Sequence, residues 1–327
     1  MKALATLAAL FAAVFAAAAP AAADKGGHTI AIIGDAPYGD DQIEDFPALL
    51  AEIDADSDIT ELVHVGDIKA GSTECSTARF LNVFDELNLL QMPVILTLGD
   101  NEWTDCHRSR AGKYDPLERL AELRDIFFSW PGLTLGGKQR FVWSQAFNPR
   151  FADFPENQLW VRSRVVFSAV HVVGSANGLR PWFVDDAEDD LEDDPIRREA
   201  EVEAREKAGL YWLVKTFLWA WWTRAEAVVV FMHADTFIGG SEGFVPTVQL
   251  LADLAADFGK PVLLIQGDSH TWAVDKPLEN GSELYGITRA VPNLTRIVVE
   301  GATTKEWLKL SITPGSPEVF SWQRMMR

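Results

Sequence analysis

Glu61-Leu62-Val63-His64-Val65-Gly66-Asp67 is a mostly β-branched and apolar run that stops on a glycine and an aspartate. Such a run reads as a strand buried on both faces, and the Gly-Asp pair marks where the chain turns off the sheet. The pattern recurs. His28 to Ile33 runs into Gly34-Asp35, Pro93 to Leu98 into Gly99-Asp100, and Pro261 to Gln266 into Gly267-Asp268-Ser269-His270. Ala227 to Met232 ends on His233-Ala234-Asp235, and Arg164 to Val173 on Gly174-Ser175. Helical stretches lie between these runs. Asp115-Pro116-Leu117-Glu118 carries an N-cap acid, a proline at the first helical position and a capping-box glutamate, followed by Leu120, Leu123, Phe127 and Phe128 at helical spacing. From Pro195 to Arg224, Leu210, Val214, Phe217 and Trp221 recur at helical steps, and the Trp212, Trp219, Trp221 and Trp222 cluster is expected to be the buried face of that helix. Thr295 to Val299, Trp307 to Ile312 and Val319 to Gln323 read as strands in succession. Strands alternating with helices predict an α/β fold.

Composition bounds the function. The chain has 327 residues, 48 acidic and 29 basic side chains for a formal charge of −19, and 48% hydrophobic residues. That balance excludes a disordered chain, and the net acidity argues against a surface that tracks nucleic-acid phosphates or anionic lipid. Asp185 to Asp194, with eight acids in ten residues, is expected to be a solvated surface segment; it lacks the ligand rhythm of a calcium loop. Phe141 to Trp160, with its aromatics and prolines, reads as a long loop over the site described next.

The amino-terminal residues read as an address. Met1-Lys2 precedes an uncharged apolar run from Ala3 to Ala19, and Pro20-Ala21-Ala22-Ala23 offers a small-residue cleavage site before Asp24. Residues 1–23 are therefore expected to be a signal peptide and 24–327 the mature domain, exported to a periplasmic or secreted location; a retained anchor is the alternative. In an oxidising compartment Cys75 and Cys106, each in a loop that follows a predicted strand, are expected to form a disulfide rather than stay as two buried thiols. After signal cleavage no stable membrane insertion is expected, and no protein partner is legible.

In an α/β sheet, functional groups collect at the carboxyl ends of strands. Here five strand ends present an aspartate or a histidine, which is how several chain segments converge to hold metal ions on a rigid edge. Asp35, Asp67, Asp100, His233, Asp268 and His270 are the candidate ligands. Their order resembles the motif set of the calcineurin-like metallophosphoesterases (Asp, Gly-Asp, Gly-Asn-His-Asp/Glu, His, Gly-His-x-His), and spans residues 35–270. The resemblance implies a four-layer α/β/β/α sandwich, two metals at the sheet edge, and hydrolysis of phosphomonoesters or phosphodiesters. Carried over by position, Asp35 would bind the first metal, Asp67 would bridge both, and Asp100 would stand where the family asparagine binds the second. His233 matches the lone histidine, and Asp268 and His270 take the two positions of the last motif.

The departures bear on chemistry. Pro37 stands where many members have a metal-binding histidine, Asp100 replaces asparagine, Asp268 replaces histidine, and Asn101 occupies the place of the catalytic histidine. Four carboxylates just balance two divalent ions, and oxygen-rich ligation favours Mn or Fe over zinc, with Mg, Ca or Zn still possible. The implied reaction is attack by a metal-bound hydroxide on a small phosphorylated substrate, without a covalent intermediate. With Asn101 unable to give a proton to the leaving group, His107 and Glu102 are the candidate substitutes. The alternative is a catalytically inactive metal-binding or scaffold protein of the same fold. His64 and His171 read as core or supporting histidines, His28 as exposed, Tyr38 as a rim residue, and Arg79 or Arg108 as a clamp for an anionic substrate.

Overall fold

A computed structural model describes residues 26–183 and 192–327. The expected signal peptide and most of the acidic run from Asp185 to Asp194 lie outside the described residues. The elements are β1 (His28–Ile33), α1 (Gly39–Ala55), β2 (Ile59–His64), α2 (Thr77–Leu89), β3 (Val94–Leu96), α3 (Pro116–Phe127), β4 (Trp143–Ser144), β5 (Gln158–Arg162), β6 (Val165–Ala169), α4 (Pro195–Trp222), β7 (Ala227–Phe231), α5 (Val245–Phe258), β8 (Val262–Gln266), β9 (Ala273–Asp275), β10 (Leu294–Val298), β11 (Glu306–Ile312) and β12 (Phe320–Met326). They form one sheet in the order β12-β11-β1-β2-β3 and a second in the order β4-β5-β6-β7-β8-β10-β9.

Strand alternation makes the layers. Ile30, Ile32, Val63, Val65 and Ile95 point inward and pack against Val165, Phe167, Val229, Phe231, Leu263 and Ile265, which is the contact between the two sheets. Their neighbours Ala31, Ile33, Leu62, Val94 and Leu96 point outward under α1, α2 and α3. On the far side, Val166, Val228, Val230, Val262 and Leu264 pack under Trp212, Leu213 and Phe217 of α4 and Val248, Leu251 and Ala255 of α5. Helices, sheet, sheet, helices: the four-layer α/β/β/α sandwich is present. Both faces of each central strand are covered, which is why those strands read as unbroken apolar runs. β1, β2 and β3 are parallel, as are β6, β7, β8 and β10, so their carboxyl ends share one edge within each sheet.

Three expectations are corrected. Phe141 to Trp160 is no loop over the site: it supplies β4, two short turns and the start of β5 at the outer edge of the second sheet. Trp212 is buried in α4, but Trp221 and Trp222 are 41% and 50% exposed. At about 100° per residue these two fall more than a right angle from the face that carries Trp212, Leu213, Thr216 and Phe217. His28 is buried, its Nδ1 within 2.9 Å of Ser163 Oγ and its Nε2 3.9 Å from the buried Glu61.

Candidate metal centre

Short main-chain hydrogen bonds lock the strand ends together. Asp35 N donates to Gly66 O at 3.0 Å and Ala36 N to Asp67 O at 3.0 Å. The two sheets are joined here as well: His233 Nδ1 lies 3.0 Å from Val65 O, and Asp268 N donates to Asp35 Oδ1 at 3.2 Å. The turns are tight enough to need unusual backbone. Asp35, Asp67, Asp268 and His270 all have left-handed φ values of 51–71°, a region in which non-glycine residues are strained and which clusters at functional sites. Two glycines are required by close approach. A Cβ on Gly99 would lie 2.1 Å from Asp67 Oδ1, and one on Gly267 would lie 2.4 Å from Asp35 Oδ2.

This edge gathers the six expected ligands. Donor atoms of Asp35, Asp67 and His270 lie within 4.8 Å of one another, and so do those of Asp67, Asp100 and His233. Asp67 belongs to both groups. Asp268 stands beside them, Oδ1 3.9 Å from His233 Nε2, and its other oxygen accepts from Asp235 N at 3.3 Å. His270 Nε2 lies 3.2 Å from Asp35 Oδ1, its ring partly open to solvent.

The donor set fits cations. A carbonyl oxygen can only accept, so His233 Nδ1 carries the proton given to Val65 O, and Nε2 faces Asp100 Oδ1 at 3.1 Å and Asp67 Oδ1 at 3.3 Å. A ring nitrogen facing two carboxylates needs a positive charge between them, a proton on Nε2 in the metal-free chain or a bound cation in its place. The local electrostatics agree. Burial, reinforced by Asp100, Glu102 and Asp35, pushes Asp67 well above the usual carboxylate range. Burial and Asp100 push Asp268 from 3.8 to about 7. Burial works against charge on both Asp100 and His233, yet their mutual hydrogen bond and attraction win, holding Asp100 low and His233 high. Burial and crowding thus favour protons on Asp67 and Asp268, positive charge that a bound cation would supply instead.

The profile of the calcineurin-like phosphoesterase family matches residues 28–272, most of the chain and all of this edge. The chain belongs to the calcineurin-like phosphoesterases. No curated protein sequence matches it. Among solved structures, this calcineurin-like phosphoesterase is similar to GAP50, the anchor in the inner membrane complex of Plasmodium, at 11% identity over 92% of this chain and 89% of that one, with a TM-score of 0.49. It is similar to the purple acid phosphatase PPD1 of yellow lupin seeds at 12% identity over 93% of this chain and 54% of that one, TM-score 0.48. A third likeness is to the sulfate thiohydrolase SoxB of Thermus thermophilus, at 16% identity over 87% and 41%, TM-score 0.36.

Around the ligand edge, the phosphoesterase carries three supporting groups. Asn101 donates from its main chain to Asp67 Oδ1 at 3.0 Å, and its side-chain amide donates to Asp67 Oδ2 and, at 2.6 Å, to Tyr38 Oη. Tyr38 Oη in turn bonds Asp67 Oδ2, so the tyrosine reaches inward from the rim. Glu102 is buried behind them, and its Oε1 accepts from Gly99 N at 2.7 Å and Asp67 N at 3.2 Å, which fixes the two turns. Burial raises the Glu102 carboxyl. His107 is set apart: buried in the following loop, its Nδ1 accepts from Phe183 N at 2.9 Å and its ring meets Phe183 edge-on.

Residues not singled out by their spacing also take part. Ser175 Oγ lies 2.9 Å from both Asp100 Oδ2 and Asp105 Oδ1, and Asp105 pairs with Arg108 at 2.6 Å. The Gly174-Ser175 strand end was the available signal for the first of these. Lys69 is buried; burial brings its ammonium down to about 8, with Glu102 and Asp67 opposing. His64 fastens the turns, Nε2 donating to Ala36 O at 2.8 Å and Nδ1 accepting from Gly66 N. Of the two arginines, Arg108 is 37% exposed at the rim, whereas Arg79 is buried and donates to Ile68 O. The Cys75–Cys106 disulfide is formed, with Cα atoms 5.8 Å apart, and ties the Arg108 loop to the chain that follows Asp67. Asn177 is buried and held by Arg205 and Gly243.

Proposed function

We propose that this chain is an exported phosphoester hydrolase that uses two metal ions held at the carboxyl edges of its two sheets. The observation that carries the reading is the pair of Asp/His groups sharing Asp67. Asp35, Asp67 and His270 would hold one ion, Asp67, Asp100 and His233 the other, with Asp268 completing the shell. Carboxylates outnumber imidazoles four to two in this set, which favours Mn or Fe. Bound there, such ions supply Lewis acidity to a phosphoryl oxygen and bring the ionisation of water toward neutral pH. The protein's own groups do the rest. Glu102 fixes the backbone that presents Asp67, Asn101 and Tyr38 orient its carboxylate, and Arg108 at the rim meets the anionic substrate.

Proton delivery to the leaving group decides the substrate range. Asn101 donates hydrogen bonds but has no proton to give, Glu102 faces the main chain, and His107 is held apart against Phe183, so none of the three stands ready to protonate a poor leaving group. A small phosphorylated molecule with a good leaving group fits this arrangement. Residues 1–23 act as the signal and 24–327 as one domain, delivered to a periplasmic or secreted location where the disulfide is stable. The test pairs elemental analysis of the purified mature chain with hydrolysis of mono- and bis-nitrophenyl phosphate. About two metals per chain, and turnover that falls at least about a hundredfold in Asp67→Ala, is the expected result. Asn101 in the histidine's place favours a second reading, a metal-holding scaffold; bound metal without turnover on either ester establishes it, and absence of metal refutes both.

A further inference from the structure

The second sheet ends in an aromatic surface. At its β4 edge the rings of Phe141, Trp143 and Phe147 touch one another, Trp143 reaches Trp219 of α4, and Trp219 meets Trp222, with centroids 5.4–6.3 Å apart. Leu133 bridges to Phe141 from the preceding turn. Phe141, Phe147 and Trp222 are each about half exposed, and Leu133 is 41% exposed. The apolar area open to water is on the order of 500 Å², a size at which the largest patch on a monomer is often a functional surface.

The chain segments that form it are poor in acids. Residues 129–170 and 207–225, the two segments that carry the patch, hold eight lysines and arginines and only two acids, Asp153 and Glu156, leaving 21 basic and 46 acidic side chains for the rest of the chain. Some of these cations are spent: Arg140 and Arg162 face the buried Glu61, Arg164 pairs with Glu226, and Lys207 with Glu203. Lys138, Arg150 and Arg224 are exposed and Lys215 is half-buried. Net acidity therefore does not describe these two segments, although Glu206 and Glu226 border the second.

We propose that this face docks reversibly on an anionic lipid bilayer, with the aromatic rings at headgroup depth and the exposed lysine and arginine side chains against lipid phosphates. Tryptophan and phenylalanine flanked by basic residues match the interface between hydrocarbon and water, and each added cation strengthens binding to an anionic surface. Among the described residues no helix is long and apolar enough to cross a membrane, and the proposed contact is through this face alone. At the α4 end of the patch, Trp222 precedes β7, whose opposite end leads to His233. The inference stands apart from the hydrolase reading.

The mature chain is to be sedimented with vesicles containing about 30 mol% phosphatidylglycerol, and with neutral phosphatidylcholine vesicles. Binding to the anionic vesicles is expected, weakened several-fold at about 0.5 M salt. Phe147→Ser with Trp222→Ser should lower partitioning about tenfold. Lys138→Glu, Arg150→Glu and Arg224→Glu together should erase the preference for anionic lipid. Thermal melts matching the parent show that the variants fold. No binding by the parent chain, or binding unaltered in both variants, overturns the proposal. A parent chain that is dimeric, becomes monomeric in Phe147→Ser with Trp222→Ser and ignores vesicles also overturns it and assigns the face to a second copy.

Discussion

Replacing Asp268 by asparagine in metal-free protein tests the electrostatics of the candidate site directly. The Asp268 carboxyl sits at about 7 in the folded chain against 3.8 unfolded. For a raised acid the sign is fixed: its stabilising contribution is complete below the unfolded value and is lost as pH rises through the folded one. At pH 5 the ionised unfolded state already costs the fold roughly 1.6 kcal/mol, and at pH 7 roughly 4 kcal/mol, at 1.36 kcal/mol per pH unit. Solvent reaches 29% of the side chain, so we halve the difference and expect Asp268→Asn to gain about 1 kcal/mol over the parent between pH 5 and pH 7. Comparing the two chains at each pH cancels the titrating groups that Asp268 does not act on, His64 among them. The assay is urea unfolding in chelator at both pH values. With saturating metal the order should reverse at pH 7, because the asparagine removes a negative oxygen donor. An equal difference at pH 5 and 7 in chelator, or an asparagine chain that is less stable than the parent in chelator at pH 7, would refute the reasoning.

Three further outcomes follow from the geometry. Gly99→Ala places a methyl where Asp67 Oδ1 now sits, and should cost about 1–3 kcal/mol in chemical unfolding and weaken metal binding about tenfold or more; unchanged metal content would mean that Asp67 is free to move. Replacing both Cys75 and Cys106 by serine opens a loop of 31-residue separation and should cost about 3–4 kcal/mol, read from the urea midpoint. Arg108→Ala should raise KM for a nitrophenyl phosphate about tenfold with metal content unaltered, and Arg108→Lys should recover only part of the loss; an Arg79→Ala chain that shows the same kinetic change without losing stability would point to the wrong arginine.

The gathering of these side chains at one candidate edge was legible because they follow strands that are buried on both faces. An unbroken apolar run followed by Gly-Asp fixes both where the strand stops and which way the next side chain must turn, so Asp35, Asp67, Asp100 and Asp268 could be placed together without any tertiary knowledge. What was not legible depends on contacts between distant segments. Trp221 and Trp222 share a helix with the buried Trp212, and only the position of β5 under Trp212 and of β6 under Thr216 decides which arc of that helix is covered. β5 went unrecognised because Gln158-Leu159-Trp160-Val161-Arg162 carries little signal of its own and is a strand through its antiparallel register with β6. His28 looked exposed as a polar residue ahead of a strand; Ser163 and Glu61, far along the chain, bury it.

The two sheets are joined at the candidate metal edge by hydrogen bonds that reach across the seam, His233 to Val65 and Asp100, Asp268 to Asp35, and Ser175 to Asp100. Each ligand group draws on both halves: Asp35 and Asp67 with His270, and Asp67 and Asp100 with His233. An ion seated in either group is therefore a rivet through the seam of the sandwich, resisting any sliding of one sheet over the other. Loading couples the halves mechanically, so the metal-free chain should open along this seam before it unfolds, and the loaded chain should come apart in one step.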